Sequence, residues 1–493
     1  MSDARTYVVV VADRVAESGL VLLRAEPRLD VVTVENDRDR LRAELARAHG
    51  LIVRSGTTVD DSLLAGAPEL VVIGRAGTGV DNIDVSAATR RGVAVLNAPG
   101  ANTVSAAEHT IALLLALMRR IPDAALSMRS GRWDRKRFAG TELRGKTLGV
   151  VGLGRIGAHV AAIARAFGMR ILAHDPYLPG ERAAELGVEL VSLGELLPEA
   201  DVLTLHLPLT DETRCLLNAE RLRSMKRHAV VINTARGALV DQDALLEEIE
   251  ADRIAGAALD VFDPEPLAED SPLRRSERVI LTPHLAASTS EAQERVAQEI
   301  CAAVRDALLT GSVGGAINLP GLSRDVLVRL RGLLELARRL GRLAVGLSEG
   351  AVHSVEVAYG GEDELAPRPV MLAALEGVLA GMGVSPVRLV NAAVLAAARG
   401  VAVSHRAGHA QSGFETTVGV TLDAARRSVS VVGALVGERV GRVIRIDEFD
   451  VDIPADGHII VLKNRDVPGV IGRVGGLLGE ANINIASYHQ SRL

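Results

Sequence analysis

Arg236, Glu265 and His284 each follow a short apolar run, at 229–233, 255–259 and 278–281, that reads as a β-strand. In α/β sheets the loops past the carboxyl ends of strands build sites, so side chains at successive strand ends point to one cleft. Arg236, in Asn233-Thr-Ala-Arg-Gly237, carries a planar guanidinium suited to a two-point grip on a carboxylate. His284, in Thr282-Pro-His-Leu285, is the side-chain type that exchanges a proton near neutrality. Glu265 stands between two prolines in Asp263-Pro-Glu-Pro266, which leaves its backbone little freedom to lose. A carboxylate there, bonded to one imidazole nitrogen, would orient the ring. Taken singly, each has a plainer reading: a salt-bridge arginine, a structural histidine, a rigid exposed turn. Together they favour general acid–base chemistry beside an anchored carboxylate.

The partner chemistry stands upstream. Thr147-Leu-Gly-Val-Val-Gly-Leu-Gly-Arg-Ile-Gly157 runs from a strand through a glycine turn into a helical pattern, and a second strand at 169–174 ends on Asp175. Gly152 permits the tight turn, Gly154 lets backbone approach a pyrophosphate, and Gly157 lets helix pack on strand. The helix start offers free N–H groups and a positive dipole end to phosphates. Asp175 is placed to accept from ribose hydroxyls and would repel a 2′-phosphate, so NAD is expected rather than NADP. The other glycine-rich segment, Gly74-Arg-Ala-Gly-Thr-Gly79, leads into Asp81-Asn-Ile-Asp84 and not into a long helix. It reads as a loop on the substrate side. Hydride transfer with His284 as acid/base, Glu265 orienting it and Arg236 holding the substrate carboxylate follows, with no Cys/His cluster to suggest a metal.

These residues need sheets to hold them. Short β-branched runs at 7–11, 31–34, 51–53, 70–73 and 93–96 alternate with helical stretches, and a second βα series runs from 148 to about 281. Such alternation predicts α/β architecture with two doubly wound Rossmann-like domains. A helix over 102–119 would join them, and one over 288–309 would cross back to the first. The expected division is 1–98 with 290–317 as a split substrate-binding domain, and 99–289 as the NAD-binding domain. An α+β intervening domain follows at 318–455, with helices at 325–348 and 368–400 and a β-ribbon, then a truncated unit at 456–493 of the form βαβ. In the intervening segment Arg329, Arg331, Arg338, Arg339 and Arg342 recur at helical spacing and read as a solvated face.

Composition narrows the class. The 493 residues carry a formal net charge of −6 and only 2% aromatics, which argues against a nucleic-acid surface. Cys215 and Cys301 are too few for a disulfide framework and suit a reducing, cytoplasmic setting. The N-terminal residues show no apolar signal region, and apolar runs such as 111–118 are too short to span a bilayer.

Val53-Arg-Ser55, Gly74-Arg-Ala-Gly-Thr-Gly-Val-Asp-Asn-Ile-Asp84, Asn97-Ala-Pro-Gly-Ala-Asn102, the 152–157 turn, Asn233-Thr-Ala-Arg-Gly237 and Thr282-Pro-His-Leu-Ala-Ala287 occur together. In these motifs the chain resembles the D-2-hydroxyacid dehydrogenases, and within them the long-form phosphoglycerate dehydrogenases. The resemblance implies oxidation of D-3-phosphoglycerate by NAD, the first step of phosphorylated serine synthesis. It implies cofactor contacts at Thr78, Gly152, Gly154, Arg155, Ile156, Gly157, Asp175, Thr234, Ala235, Arg236, Asp260, His284, Leu285, Ala286 and Ala287. Arg54, Ser55, Gly77 and Asn102 would line the substrate, with Arg54 on the phosphate side. Trp133-Asp-Arg-Lys-Arg-Phe138 would lie at the interface of a homodimer or homotetramer and lend Arg135 or Lys136 to the partner's phosphate pocket; a solvated loop is the equal alternative.

The terminal unit resembles the start of an ACT regulatory domain, in which Asp466, Asn482 and Asn484 would help to bind an amino-acid effector, L-serine. It departs from that pattern, since an ACT domain is βαββαβ and this unit stops after its second strand. An open sheet edge and an apolar helix face would then await a neighbouring subunit. Two other readings stand beside the main one: another D-2-hydroxyacid dehydrogenase, of the hydroxypyruvate or glyoxylate reductase type, and a non-catalytic NAD-sensing protein like the corepressors that share this fold.

Overall fold

The computed structural model describes residues 6–35, 37–407, 414–437, 440–465 and 467–491. Two parallel sheets carry the first three-fifths of the chain. The first has the strand order Leu29–Thr33, Tyr7–Val11, Gly50–Val53, Val72–Arg75, Ala94–Asn97, all parallel. Runs such as Val8-Val-Val-Val11 are buried from end to end, as expected of a parallel sheet covered on both faces. The second sheet has the order Val279–Leu281, Gly256–Leu259, Val230–Asn233, Val202–Leu205, Thr147–Val151, Arg170–His174, Glu189–Leu190. Six of these strands are legible in the sequence. The seventh is an edge strand of 2 residues, too short to show a pattern.

Thr103–Met118 is the helix between the two sheets, and Ser290–Thr310 returns to the first. The return follows from the sequence: Ala292, Val296, Ala297, Ile300, Cys301 and Val304 recur at helical spacing and are buried. Ile300 and Val304 share a core with Leu20, Leu23, Ile52 and Val72 of the first sheet's layer. Each such buried aliphatic contributes about 1.5–3 kcal/mol. The Thr289 hydroxyl caps the start of this helix and Gly311, at φ +71°, ends it. Burial pushes the Cys301 thiol up to about 12, which makes it an inert core group.

Beyond residue 318 a six-stranded mixed sheet forms, in the order Ala402–Ala407, Val352–Gly360, Thr417–Ala424, Val429–Val436, Val440–Ile446, Phe449–Pro454. Only the first pair is parallel. Arg331–Leu347 and Pro367–Gly381 pack on it. The helix expected over 368–400 is broken: it stops at Gly381, passes Gly383 and Pro386, and resumes at Ala392–Ala398. The edge strand Ala402–Ala407 is not marked in the sequence, because Ser404-His-Arg406 interrupts any apolar run. The arginine face is also more than solvated. Arg338 is half-buried and bridges Glu335 on its own helix and Glu376 on the neighbouring one, and that acidic pair raises its pKa against the opposing cost of burial.

The terminal βαβ reading needs correction. Val470–Glu480 is helical, but 458–463 and 483–488 form no strand and the helix has no buried residue. A strand pair with one helix and no apolar layer to pack on gains too little to order itself. Asn482 and Asn484 are exposed beyond this helix, and Asp466 lies outside the described residues.

Candidate active site

The strands ending at Asn233, Leu259 and Leu281 are neighbours in the second sheet, so their outgoing loops adjoin. His284 Nδ1 donates to Glu265 Oε2 at 2.9 Å, and Glu265 Oε1 accepts from the Phe262 amide at 3.0 Å. Burial alone would raise the Glu265 pKa; the His284 and Phe262 hydrogen bonds and the nearby Arg236 outweigh it and hold the carboxyl below its ordinary value. With Nδ1 committed to the carboxylate, Nε2 is the nitrogen left to exchange a proton.

His284 adopts a left-handed backbone at φ +54°, a conformation that a non-glycine residue holds only when its surroundings impose it. Asp260 imposes it. Its carbonyl accepts from the His284 amide at 2.8 Å, and its carboxylate accepts from the Leu285 and Ala286 amides at 2.8 and 2.9 Å. Thr282 Oγ1 and His109 Nε2 complete the set at 2.5 and 3.1 Å. Asp260 is 0% exposed, so its influence on a cofactor passes through the 284–287 segment that it holds. Burial raises its pKa, yet these four donors more than compensate and keep it low.

Arg236 reaches across to the first sheet. Its Nε donates to Asp81 Oδ2 at 2.7 Å and its Nη1 to the Ala235 carbonyl at 2.6 Å. Nη2 lies where a side chain on Gly79 would be: a Cβ there would stand 1.6 Å from it. Thr78 Oγ1 donates to Asn102 Oδ1 at 2.8 Å in the same loop cluster. Arg54 lies nearby, its Nη1 donating to the Arg14 carbonyl at 3.2 Å, with Ser55 exposed beside it. Arg75 belongs to this group, a residue whose role no sequence motif singles out. Burial, with Arg236 and Arg54 close by, lowers its pKa to about 10, which still leaves it charged at neutrality. Its Nη1 fills the space beside Gly77, and its buried Nε has no hydrogen-bond partner among the described residues. The signal was there: a cation closing an otherwise apolar strand, one residue after Gly74.

The nucleotide cradle fits a dinucleotide. Gly152 holds φ +91° with its Cβ position blocked by the His206 carbonyl at 2.6 Å, and Gly157 packs against the Gly152 carbonyl. Gly154, the N-cap of Arg155–Ala166, has nothing within 4 Å of its Cβ position, which leaves the first-turn amides open to a phosphate. Ile156 follows in that first turn. Asp175 accepts from the Leu153 and Tyr177 amides at 2.9 and 3.0 Å, which fixes the carboxylate at the end of its strand with lone pairs to spare. Thr234 is buried, its hydroxyl paired with Thr110 at 2.8 Å, so its side chain supports the loop. Ala286 is buried, and Leu285 is exposed. Arg135 and Lys136 occupy an exposed turn, and among the described residues no hydrogen bond or ion pair ties them to this cleft.

The D-isomer specific 2-hydroxyacid dehydrogenase NAD-binding domain matches residues 111–286, and the D-3-phosphoglycerate dehydrogenase intervening domain matches 329–447. The D-3-phosphoglycerate dehydrogenase of Synechocystis is 42% identical over 98% of this chain and 87% of its own. Those of Mycobacterium tuberculosis and Bacillus subtilis are 43% and 40% identical over 98% and 99% of this chain, and over 92% of theirs. Among solved structures, the TT0316 protein of Thermus thermophilus superposes at a TM-score of 0.57 with 39% identity, over 61% of this chain and 96% of that one. An NAD-dependent formate dehydrogenase from Staphylococcus aureus, in complex with NAD, gives 0.55 with 29% identity over 61% and 96%. The chain belongs to the D-3-phosphoglycerate dehydrogenase family, within the D-isomer-specific 2-hydroxyacid dehydrogenases.

Proposed function

We propose that the chain oxidises D-3-phosphoglycerate to 3-phosphohydroxypyruvate, the entry to phosphorylated serine synthesis, with the roles assigned as follows. The His284–Glu265 pair carries the reading, because it leaves Nε2 as the base that takes the C2 hydroxyl proton. Arg236, oriented by Asp81, binds the substrate carboxylate through its remaining guanidinium edge. Arg54, Ser55, Gly77 and Asn102 line the substrate, with Arg54, and Arg75 beside it, on the phosphate side. NAD, held by the 152–157 turn, Asp175 and the 234–236 and 284–287 segments, supplies the hydride acceptor when bound.

The substrate-binding unit is 1–98 with 290–317, and the nucleotide unit is 99–289. A homodimer formed through the nucleotide unit supplies Arg135 or Lys136 to the partner's phosphate pocket. Exposed Ile121, Leu126, Met128 and Trp133 beside that turn support the choice of face. L-serine is the effector proposed for the 456–493 segment. No described helix is long and apolar enough to cross a membrane, and the cytoplasm is the proposed location.

The deciding experiment is NADH formation from D-3-phosphoglycerate with the ketone trapped, run beside D-glycerate and glycolate. Turnover restricted to the phosphorylated acid, and abolished in His284→Ala while NAD still binds, is the expected result. Preference for glycolate or D-glycerate would move the chain to the glyoxylate and hydroxypyruvate reductases. NAD binding without turnover on any hydroxy acid would favour a sensor.

A further inference from the structure

The loop that carries Arg54 and Ser55 runs between the buried Val53 and Val59. A cavity of about 420 Å³ lies on one side, lined in part by Ala12, Arg38, Leu41, Gly56, Thr57 and Thr58. The loop is nevertheless held at both its amide and its carbonyl groups by side chains from two other loops. Asp13, just past the first strand, is 7% exposed and accepts from the Arg54 amide at 2.5 Å and the Thr57 amide at 3.2 Å through Oδ2. Its Oδ1 accepts from the Thr57 hydroxyl at 2.9 Å. Asn82, next to Asp81, donates to the Arg54 and Thr57 carbonyls at 2.7 and 2.5 Å. Gly56 is required between them, since a Cβ there would stand 2.8 Å from Asp13 Oδ1.

From this geometry we infer that Asp13 is a positioning residue for the substrate pocket: with Asn82 it braces the 54–57 loop beside this cavity and so sets where Arg54 presents its charge. The inference rests on the reading of Arg54 as a substrate-phosphate contact. A buried carboxylate is costly unless its oxygens are met by donors, and here the donors are the loop itself. Asn82 ties the brace to the Asp81–Arg236 pair, so the phosphate and carboxylate ends of the pocket share one anchor segment.

The test is a steady-state comparison of Asp13→Ala, Asp13→Asn, Arg54→Ala and the double variant Asp13→Ala/Arg54→Ala. Asparagine reproduces the brace: its oxygen can take both amides while its nitrogen donates to the Thr57 hydroxyl. Asp13→Ala should raise KM for D-3-phosphoglycerate roughly 10- to 100-fold, the scale of a misplaced binding group, with kcat and NAD affinity near the parent's. Asp13→Asn should restore KM to within about threefold, because the contacts survive without the charge. The double variant should be little worse than Arg54→Ala, since both remove the same contact. NAD affinity and Tm of each variant separate loss of the brace from loss of the fold. If Asp13→Ala fails to fold, Thr57→Val, which deletes only the hydroxyl contact, carries the same expectation at a few-fold. An unchanged KM in Arg54→Ala would overturn the underlying site reading. A raised KM there, with Asp13→Ala at the parent value or with fully additive effects, would overturn the brace alone.

Discussion

Arg236 Nε and Asp81 Oδ2 lie 2.7 Å apart although 155 residues separate them, so the guanidinium proposed to grip the substrate is aimed by a carboxylate from the other sheet. Both side chains are partly exposed, and such a pair adds little to stability. Its value is orientation: Asp81 holds one edge of the fork, the Ala235 carbonyl takes Nη1, and the remaining edge faces Gly79.

That arrangement makes Gly79 a sensitive position. In Gly79→Ala the new methyl would overlap Arg236 Nη2 and approach Asp81 Oδ2 within 2.8 Å, so the fork must rotate away. We expect kcat/KM for D-3-phosphoglycerate to fall about 100-fold, roughly 2.7 kcal/mol of transition-state binding, with NAD affinity unchanged. Parent-like kinetics would show that Arg236 does not need its observed orientation.

His284→Ala should lower kcat by about 10³-fold or more and leave NAD binding intact, because it removes the proton acceptor and no part of the nucleotide cradle. Glu265→Gln should lower kcat about 10²- to 10³-fold, since one amide oxygen cannot meet both His284 Nδ1–H and the Phe262 amide and offers no charge to the imidazolium formed during oxidation. Single-turnover kinetics compare the two. Equal losses would mean that Glu265 does more than orient and stabilise the ring.

Asp260 links the catalytic loop to pH. Its native pKa lies below its ordinary value, so its contribution to stability is present above that ordinary value, about 3.9, and is lost as pH falls through the native one. Asp260→Asn should cost about 1–3 kcal/mol at pH 7, because one amide oxygen cannot replace two carboxylate oxygens meeting four donors. It should also flatten the acid arm of the stability profile. Urea midpoints from pH 7 down to pH 3 measure both effects, and parallel curves for parent and variant would contradict the assignment.

Asp175→Ala should raise KM for NAD about 10- to 100-fold, the range for losing charged hydrogen bonds, and shift preference toward NADP. The ratio of kcat/KM values for the two cofactors reads this directly. An unchanged ratio would remove Asp175 from ribose recognition.

The clearest local signals lay in the Gly152–Gly157 turn and in the strand-then-polar pattern that sets Arg236, Glu265 and His284 at strand ends. Each such signal fits within a dozen residues, where periodicity and turn chemistry operate. Arg75 was legible in principle, as a cation closing an apolar strand, but one arginine among many carries no weight until its burial is known. The orienting roles of Asp13 and Asp81 were not legible, although Asp81 stands in a loop the sequence marks. Each acts on a group in a loop far along the chain, and no local pattern distinguishes a bracing aspartate from a helix cap such as Asp37 or Asp60.

The terminal segment shows the opposite error. The alternation at 458–463 and 483–488 supports strands, but strands need partners, and the single chain provides none. The sequence alone therefore determined the two parallel sheets, the nucleotide turn and the residue types at the strand ends, because these follow from hydrophobic period and glycine geometry within short windows. Tertiary packing decided that Asp260 holds His284 in a left-handed turn, that Asp81 aims Arg236, and that Asp13 braces Arg54. Those contacts join loops from separate strands, and their distances exist only once the sheets have closed and the helix Ser290–Thr310 has crossed back onto the first.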